Sequence, residues 1–194
     1  KNPSIADKIV AANREGGGRM SKKDFMDHQP EWVDLVSTTY RGYHVWEIPP
    51  NGQGISALQM LNMLEQFDIA SLEPNSAEHL HLFIEAKKLA FEDRAVYYAD
   101  PKFADVPIQW LIGKEYGKQR AALIDPAKAA QNVTCGKVEG AKETIYMTAA
   151  DGEGNMISLI QSIYARWGSR IVPGGLGFSM QNRGLSFSLN PAHR

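Results

Sequence analysis

The sequence predicts an α+β fold on three observations. Apolar residues recur at helical spacing from Ile55 to Phe67, they do so again from about Asn75 to Tyr98, and further on two β-prone runs flank a Gly-rich polar turn. Length suggests one domain or a little more. With 43% apolar residues and 21 basic against 22 acidic side chains, the composition is that of a globular chain. Its near-zero net charge gives no electrostatic case for nucleic acid or membrane partners. The single Cys135 rules out an internal disulfide framework and a zinc cluster of cysteines. No apolar run is long enough to span a bilayer and no signal peptide is visible, although a chain that opens at Lys1 says little about targeting of the parent protein.

In chain order, a first helix is expected from Ile5 to about Glu15, capped by Ser4 with Asp7 three residues on and stopped by Gly16-Gly17-Gly18. Those glycines do not make a phosphate loop, because no strand precedes them and no Lys-Ser/Thr pair follows. Ser21 to Asp24 repeats the capping pattern for a short helix ending before Pro30. Val36 to Tyr40 and Tyr43 to Ile48 read as a hairpin about Arg41-Gly42, and Pro49 to Gly54 as a loop. Leu58, Leu61, Leu64 and Phe67 make Ile55 to Phe67 an amphipathic helix, with Met60 and Met63 as core filling.

The longest helix is expected to start after Asn75, with Glu78 completing a capping box, and to run to about Tyr98. Leu80, Phe83, Ile84, Ala90 and Phe91 form one apolar surface that Leu82, Ala86, Leu89 and Val96 widen, which predicts burial on more than one side. Glu85, Lys88 and Glu92, three and four apart, read as a solvated charged face rather than catalytic carboxylates. His79 and His81 are two apart and point to different sides of a helix, and His28, His44 and His193 lack partners at ligand spacing. No metal and no cofactor is therefore assigned.

Asp100-Pro101 ends that helix, and short helical pieces follow at Ile108 to Ile112 and Glu115 to Ile124. Ala127 to Lys142 reads as an exposed linker, in which Asn132-Val133-Thr134 matches a glycosylation acceptor of a kind that also arises by chance. Beyond the second hairpin, Gly168 to Gly177 reads as a loop, with Phe178 to Met180 and Leu185 to Leu189 as short strands. Gly174-Gly175-Leu176-Gly177 lacks the third glycine and the helix of a dinucleotide site.

The second hairpin carries the chemistry. If its turn takes all of Asp151 to Asn155, Ala150 faces Met156, and Thr144 falls directly across from Ser162. A four-residue turn would bring Gln161 opposite instead. With the five-residue turn, two hydroxyl residues meet at the open end, with Tyr164 one strand step further along.

Glu143-Thr144-Ile145-Tyr146, Ala150-Asp151, Gly154-Asn155, Ser158 to Ser162 and Gln181-Asn182-Arg183-Gly184 resemble the start of the small subunit of a γ-glutamyltranspeptidase. Pro30 to Val33, Tyr40 to Tyr43, Pro49 to Gly54 and Glu85 to Arg94 resemble the end of its large subunit. The resemblance implies an N-terminal nucleophile enzyme with a four-layer αββα sandwich, made as a precursor and cut between Glu143 and Thr144. Residues 1–143 would belong to the large-subunit-like part and residues 144–194 to the small-subunit-like part. The chemistry explains the need for a cut: an internal threonine has only an amide nitrogen, whereas a freed α-amine, with a pKa of about 8, is a usable base at neutral pH.

Carried over residue by residue, Thr144 matches the nucleophile and Ser162 a hydroxyl residue that hydrogen-bonds it. Tyr164 stands where transpeptidases carry Asn, and Ser186 where they carry the Asp that holds the γ-glutamyl amino group. Loss of that carboxylate removes a charge-assisted hydrogen bond, while a nearby Arg183 would attract a carboxylate. These departures resemble the acylase-like branch, in which amide hydrolysis dominates.

The resemblance further implies a small-molecule acyl amide as substrate and a periplasmic or extracellular setting. It places other functional groups upstream of Lys1 and downstream of Arg194, so this polypeptide would be an inactive middle piece that needs the remaining segments of the parent enzyme. Its unpaired strand edges predict pairing between copies. A pseudoenzyme or binding protein that retains the fold, and an unrelated helical interaction domain, are the alternatives.

Overall fold

The computed structural model describes residues 3–131 and 142–187, by backbone alone at 3–4, 142–146 and 186. The chain divides into two compact units, one holding residues 32–131 and the other residues 3–31 and 142–187.

The first unit is helical with one hairpin. Strands β1 (Val36–Tyr40) and β2 (Tyr43–Glu47) pair antiparallel with Tyr40 opposite Tyr43. Arg41 and Gly42 both take positive φ, 48° and 89°, as a two-residue hairpin turn requires. Helix α3 (Gly54–Leu64) is the central element, packing on β1, β2, α4 (Ala77–Tyr97), α5 (Ile108–Leu111) and α6 (Lys114–Ala121). On one side Met63 and Leu64 join Leu82, Ala86, Leu89, Ala90, Ala121 and Ile124 in an apolar core. On the other, Ile55 and Leu58 pack with Val106, Leu111 and Ile112. Met63 is fully buried and Met60 lies against the first core, so both methionines are packing residues.

Helix α4 departs from its expected face and cap. Ser76, not Asn75, is the N-cap, and its hydroxyl accepts from the His79 N–H at 3.2 Å. Leu80, Ile84 and Val96 are exposed, while Leu82, Glu85, Ala86, Leu89, Ala90 and Asp93 form the buried stripe. The stripe keeps a three-four spacing, but two of its members are carboxylates, which an apolar reading passes over.

Both buried acids are partnered. Glu85 accepts from Lys88 Nζ at 2.6 Å and from the Ala130 N–H at 3.2 Å, so it does not belong to a solvated face. Burial alone would raise its carboxyl, but the hydrogen bonds from Lys88 and Ala130, helped by the charges of Lys88 and His81, hold it below the usual range. Asp93 accepts from Gln59 Nε2 (2.8 Å) and the Tyr116 hydroxyl (2.9 Å) and lies 3.0 Å from Arg120. Here burial prevails over Arg120, Tyr116 and Gln59, and the carboxyl is raised. Gln59 Oε1 in turn accepts from the Tyr98 hydroxyl, which accepts from Ser56, completing a polar chain between α3 and α4.

In the second unit, α1 (Pro3–Glu15) begins one residue before the expected cap, so Ser4 lies within the helix. Proline suits a first turn, whose N–H groups have no helical partner. Asp7 reaches Lys22 at 2.5 Å. Gly17, at φ 78°, ends the helix as expected. In α2 (Lys22–Asp27), Asp24 accepts from the Ser21 N–H at 2.7 Å, as the capping pattern predicts.

Strands β3 (Lys142–Ala150) and β4 (Met156–Ala165) form the second hairpin. The segment after β4 folds back, and Phe178 to Met180 form no strand. Ser169 donates to the Met180 carbonyl at 2.7 Å and Met180 to the Ile171 carbonyl at 3.0 Å, bridging the loop but starting no ladder. Residues Arg183–Ser186 wind into a 3₁₀ turn in place of the start of the second strand. Alternation does not make a strand of residues 185–187, because Asn182 commits the chain to a turn by accepting from the Leu185 N–H. Ser188, Leu189, His193, Cys135, the acceptor pattern at Asn132 and most of the linker lie outside the described residues; Ala127 to Gln131 are exposed.

Candidate active site

The turn of the second hairpin sets the geometry. Asp151 Oδ1 accepts from the N–H groups of Glu153 (3.0 Å) and Asn155 (2.9 Å), and Oδ2 accepts from the Asn155 side chain at 2.7 Å. The backbone bond from Asp151 N–H to the Asn155 carbonyl closes the loop at 3.0 Å. A five-residue turn locked this way pairs Ala150 with Met156 and, six steps on, Thr144 with Ser162, the pairing expected from the count. Register partners lie on one face of a two-stranded ladder.

One residue beyond that pair the ladder breaks. Thr144 pairs with Ser162 but Glu143 pairs with Tyr164, so Ile163 is an extra residue, a β-bulge facing the Glu143-Thr144 bond. Tyr164 adopts φ 76°, which a bulky residue enters at a cost of about 1–3 kcal/mol. Trp167, Gly168 and Arg170 follow at positive φ as well. The conformation has a direct effect on the hydroxyl residue: the Tyr164 N–H donates to Ser162 Oγ at 3.1 Å. With one lone pair so occupied, the Ser162 hydroxyl is oriented to donate its own proton elsewhere.

Tyr164 is buried, 7% exposed, and the Arg183 guanidinium lies over its ring at 5.0 Å. Arg183 is exposed and opens the 3₁₀ turn that Ser186 closes. The structure thus brings Ser162, Tyr164 and Arg183 together at the open end of the hairpin, with the Thr144 backbone opposite. Two residues were given no role from the sequence: Ile163, because a bulge leaves no compositional mark, and Asn182, which figured only in the match over Gln181 to Gly184. The Asn182 side-chain oxygen accepts from the Ala165 N–H at 3.0 Å, and its own N–H donates to the Ile163 carbonyl at 3.3 Å. Among the described residues no three His, Cys, Asp or Glu side chains gather as a metal site, and no helix is long and apolar enough to cross a membrane.

The family model for gamma-glutamyltranspeptidase matches residues 2–194. A glutathione hydrolase-like YwrD proenzyme of Bacillus subtilis is 40% identical over 190 residues, covering 97% of this chain and 35% of the relative. An acylase ACY 1 proenzyme of a Pseudomonas species is 38% identical, covering 94% of this chain and 32% of that protein. The crystal structure of cephalosporin acylase from Bacillus halodurans superposes with a TM-score of 0.77 at 40% identity, over 98% of this chain and 34% of the other. The chain thus spans about a third of the length of these relatives. Its α+β architecture is that of a part of these enzymes, and the chain belongs to the gamma-glutamyltranspeptidase family.

Proposed function

We propose that the parent protein is a self-processing amidohydrolase or acyltransferase whose nucleophile is Thr144, released as an N-terminal residue by cleavage of the Glu143-Thr144 bond. Residues 1–143 would then end the large subunit and residues 144–194 begin the small one. The observation that carries this reading is the pairing of Thr144 with Ser162 beside a bulge that faces the bond to be cut. Relatives named as proenzymes support the same view.

In the processing step the Thr144 hydroxyl oxygen attacks the Glu143 carbonyl carbon. The C–N bond breaks, the hydroxyl proton passes to the departing nitrogen, and water hydrolyses the resulting ester. In turnover the freed amine takes the hydroxyl proton as the oxygen attacks the substrate amide carbonyl, and gives it to the departing amine. Water then releases the acyl group. General-base help of this kind contributes roughly 10² to 10⁴ in rate. Ser162 donates a hydrogen bond to the nucleophile.

The substrate is a small acyl amide, γ-glutamyl or a related acyl group. Tyr164, Ser186 and Arg183 favour the related group: a serine offers no charge to an ammonium, whereas a guanidinium suits a terminal carboxylate. Hydrolysis in the acylase manner follows, with the remaining segments of the parent enzyme completing the site.

The test is mass measurement of the full-length protein with N-terminal sequencing of any smaller piece, followed by a panel of γ-glutamyl, glutaryl and other acyl anilides. A piece beginning at Thr144 and release of anilide are expected, and Thr144→Ala should abolish both. Maturation or turnover surviving in that variant removes the reading, and normal maturation with no hydrolysis of any acyl amide points to a pseudoenzyme.

A further inference from the structure

We propose that Asn182 is a positioning residue for this site, acting through the strained backbone of Tyr164 on the hydroxyl of Ser162. The proposal rests on the reading of Thr144 as nucleophile. Asn182 binds the peptide groups on both sides of Tyr164, donating its N–H to the Ile163 carbonyl at 3.3 Å and accepting from the Ala165 N–H at 3.0 Å. Between those two bonds Tyr164 is held at φ 76°, and its own N–H is thereby aimed at Ser162 Oγ. A bulky residue keeps a left-handed backbone only where its surroundings over-determine it, and here one residue supplies two of those constraints, one through its backbone N–H and one through its side-chain oxygen.

Asn182 is itself fixed, because its carbonyl accepts from the Leu185 N–H at 3.1 Å in the 3₁₀ turn. The same turn carries Arg183, whose guanidinium covers the Tyr164 ring. Without the amide oxygen, the Ala165 N–H loses its acceptor and Tyr164 is free to relax toward negative φ. Its N–H then swings away from Ser162, and the hydroxyl loses a contact that orients it. Neither Asn182 nor Tyr164 need touch the reacting atoms for this to slow the chemistry.

The experiment compares Asn182→Ala and Asn182→Asp in the full-length protein. Asn182→Ala should slow self-cleavage at least tenfold and lower kcat on a glutaryl anilide by a larger factor than it changes KM. Asn182→Asp keeps an oxygen for the Ala165 N–H and should stay within threefold of the parent in both. Equal impairment in the two variants, or parental rates in Asn182→Ala, overturns the proposal.

Hydrogen exchange in a Thr144→Ala background reads the clamp independently of cleavage. Asn182→Ala should accelerate exchange over residues 162–166 at least tenfold and Asn182→Asp should not; unchanged exchange in Asn182→Ala overturns the clamp. Cleavage persisting in the Thr144→Ala parent would instead sink the nucleophile reading.

Should Asn182→Ala fail to fold alone, it is made with Tyr164→Gly, since glycine takes positive φ unaided. The double variant should fold and cleave at a rate close to that of Tyr164→Gly. An unrelieved defect overturns the proposal.

Discussion

Asp93 and Arg120 face each other at 3.0 Å inside the helical unit, with side chains only 6% and 16% exposed. Burial raises the Asp93 carboxyl despite Arg120, and removing the guanidinium leaves a buried acid with two neutral donors. Arg120→Met is expected to cost about 3 kcal/mol, as loss of one partner of a buried pair does. An acid whose native pKa lies above its unfolded value withdraws stability as pH rises through the native pKa. The deficit should therefore be larger at pH 7.5 than at pH 4.5, read by urea unfolding at each.

Glu85 has the opposite sign. Its carboxyl is held below the usual range, so its contribution is present above the unfolded pKa of about 4.3 and lost as pH falls through the native value. Glu85→Gln should lower stability at pH 7 by about 1–3 kcal/mol and flatten the acid limb of the stability curve. Amide exchange at Ala130, whose N–H Glu85 accepts, should quicken in the same variant.

Gly117 marks a close approach of α6 to α3. A methyl there would lie 2.7 Å from Asn62 Cβ and 3.1 Å from its backbone carbon. Asn62 has little room to yield, since it accepts from the Thr38 hydroxyl at 2.8 Å and donates to the Ile112 carbonyl at 2.7 Å. Alanine is worth about 1 kcal/mol over glycine in a helix, but overpacking against a fixed neighbour costs about 1–3 kcal/mol. We expect Gly117→Ala to lower the Tm, and an unchanged or higher Tm would contradict the packing described.

The register is tested by shortening β3 by one residue. Deleting Ala149, with the turn intact, should bring Gln161 opposite Thr144 and, in the full-length protein, stop the appearance of the smaller piece on a denaturing gel. Replacing Gly152 by Ala, where a methyl meets nothing within 4 Å, should leave cleavage intact.

Local patterns were legible in the sequence, and pairings across the chain were less so. The turn from Asp151 to Asn155 and the Thr144-Ser162 pairing could be counted, because period two and turn length fix a hairpin register. The extent of α3 was legible from apolar spacing, its end being set three residues sooner, at Leu64. The inward face of α4 was not, because Glu85 and Asp93 are buried only by virtue of Lys88, Ala130, Arg120 and Tyr116, which come from other turns and elements. The bulge at Ile163 and the turn at Arg183 depend on Asn182, seventeen residues after Ala165, and strand propensity sees neither.

The lock on the second hairpin has an evolutionary consequence. Asp151 and Asn155 set the alignment of 144 with 162 from the far end of the strands, and neither belongs to the positions assigned to substrate choice. A lineage can therefore rewrite 183 and 186 to suit a new acyl group while inheriting the alignment of 144 with 162 unchanged.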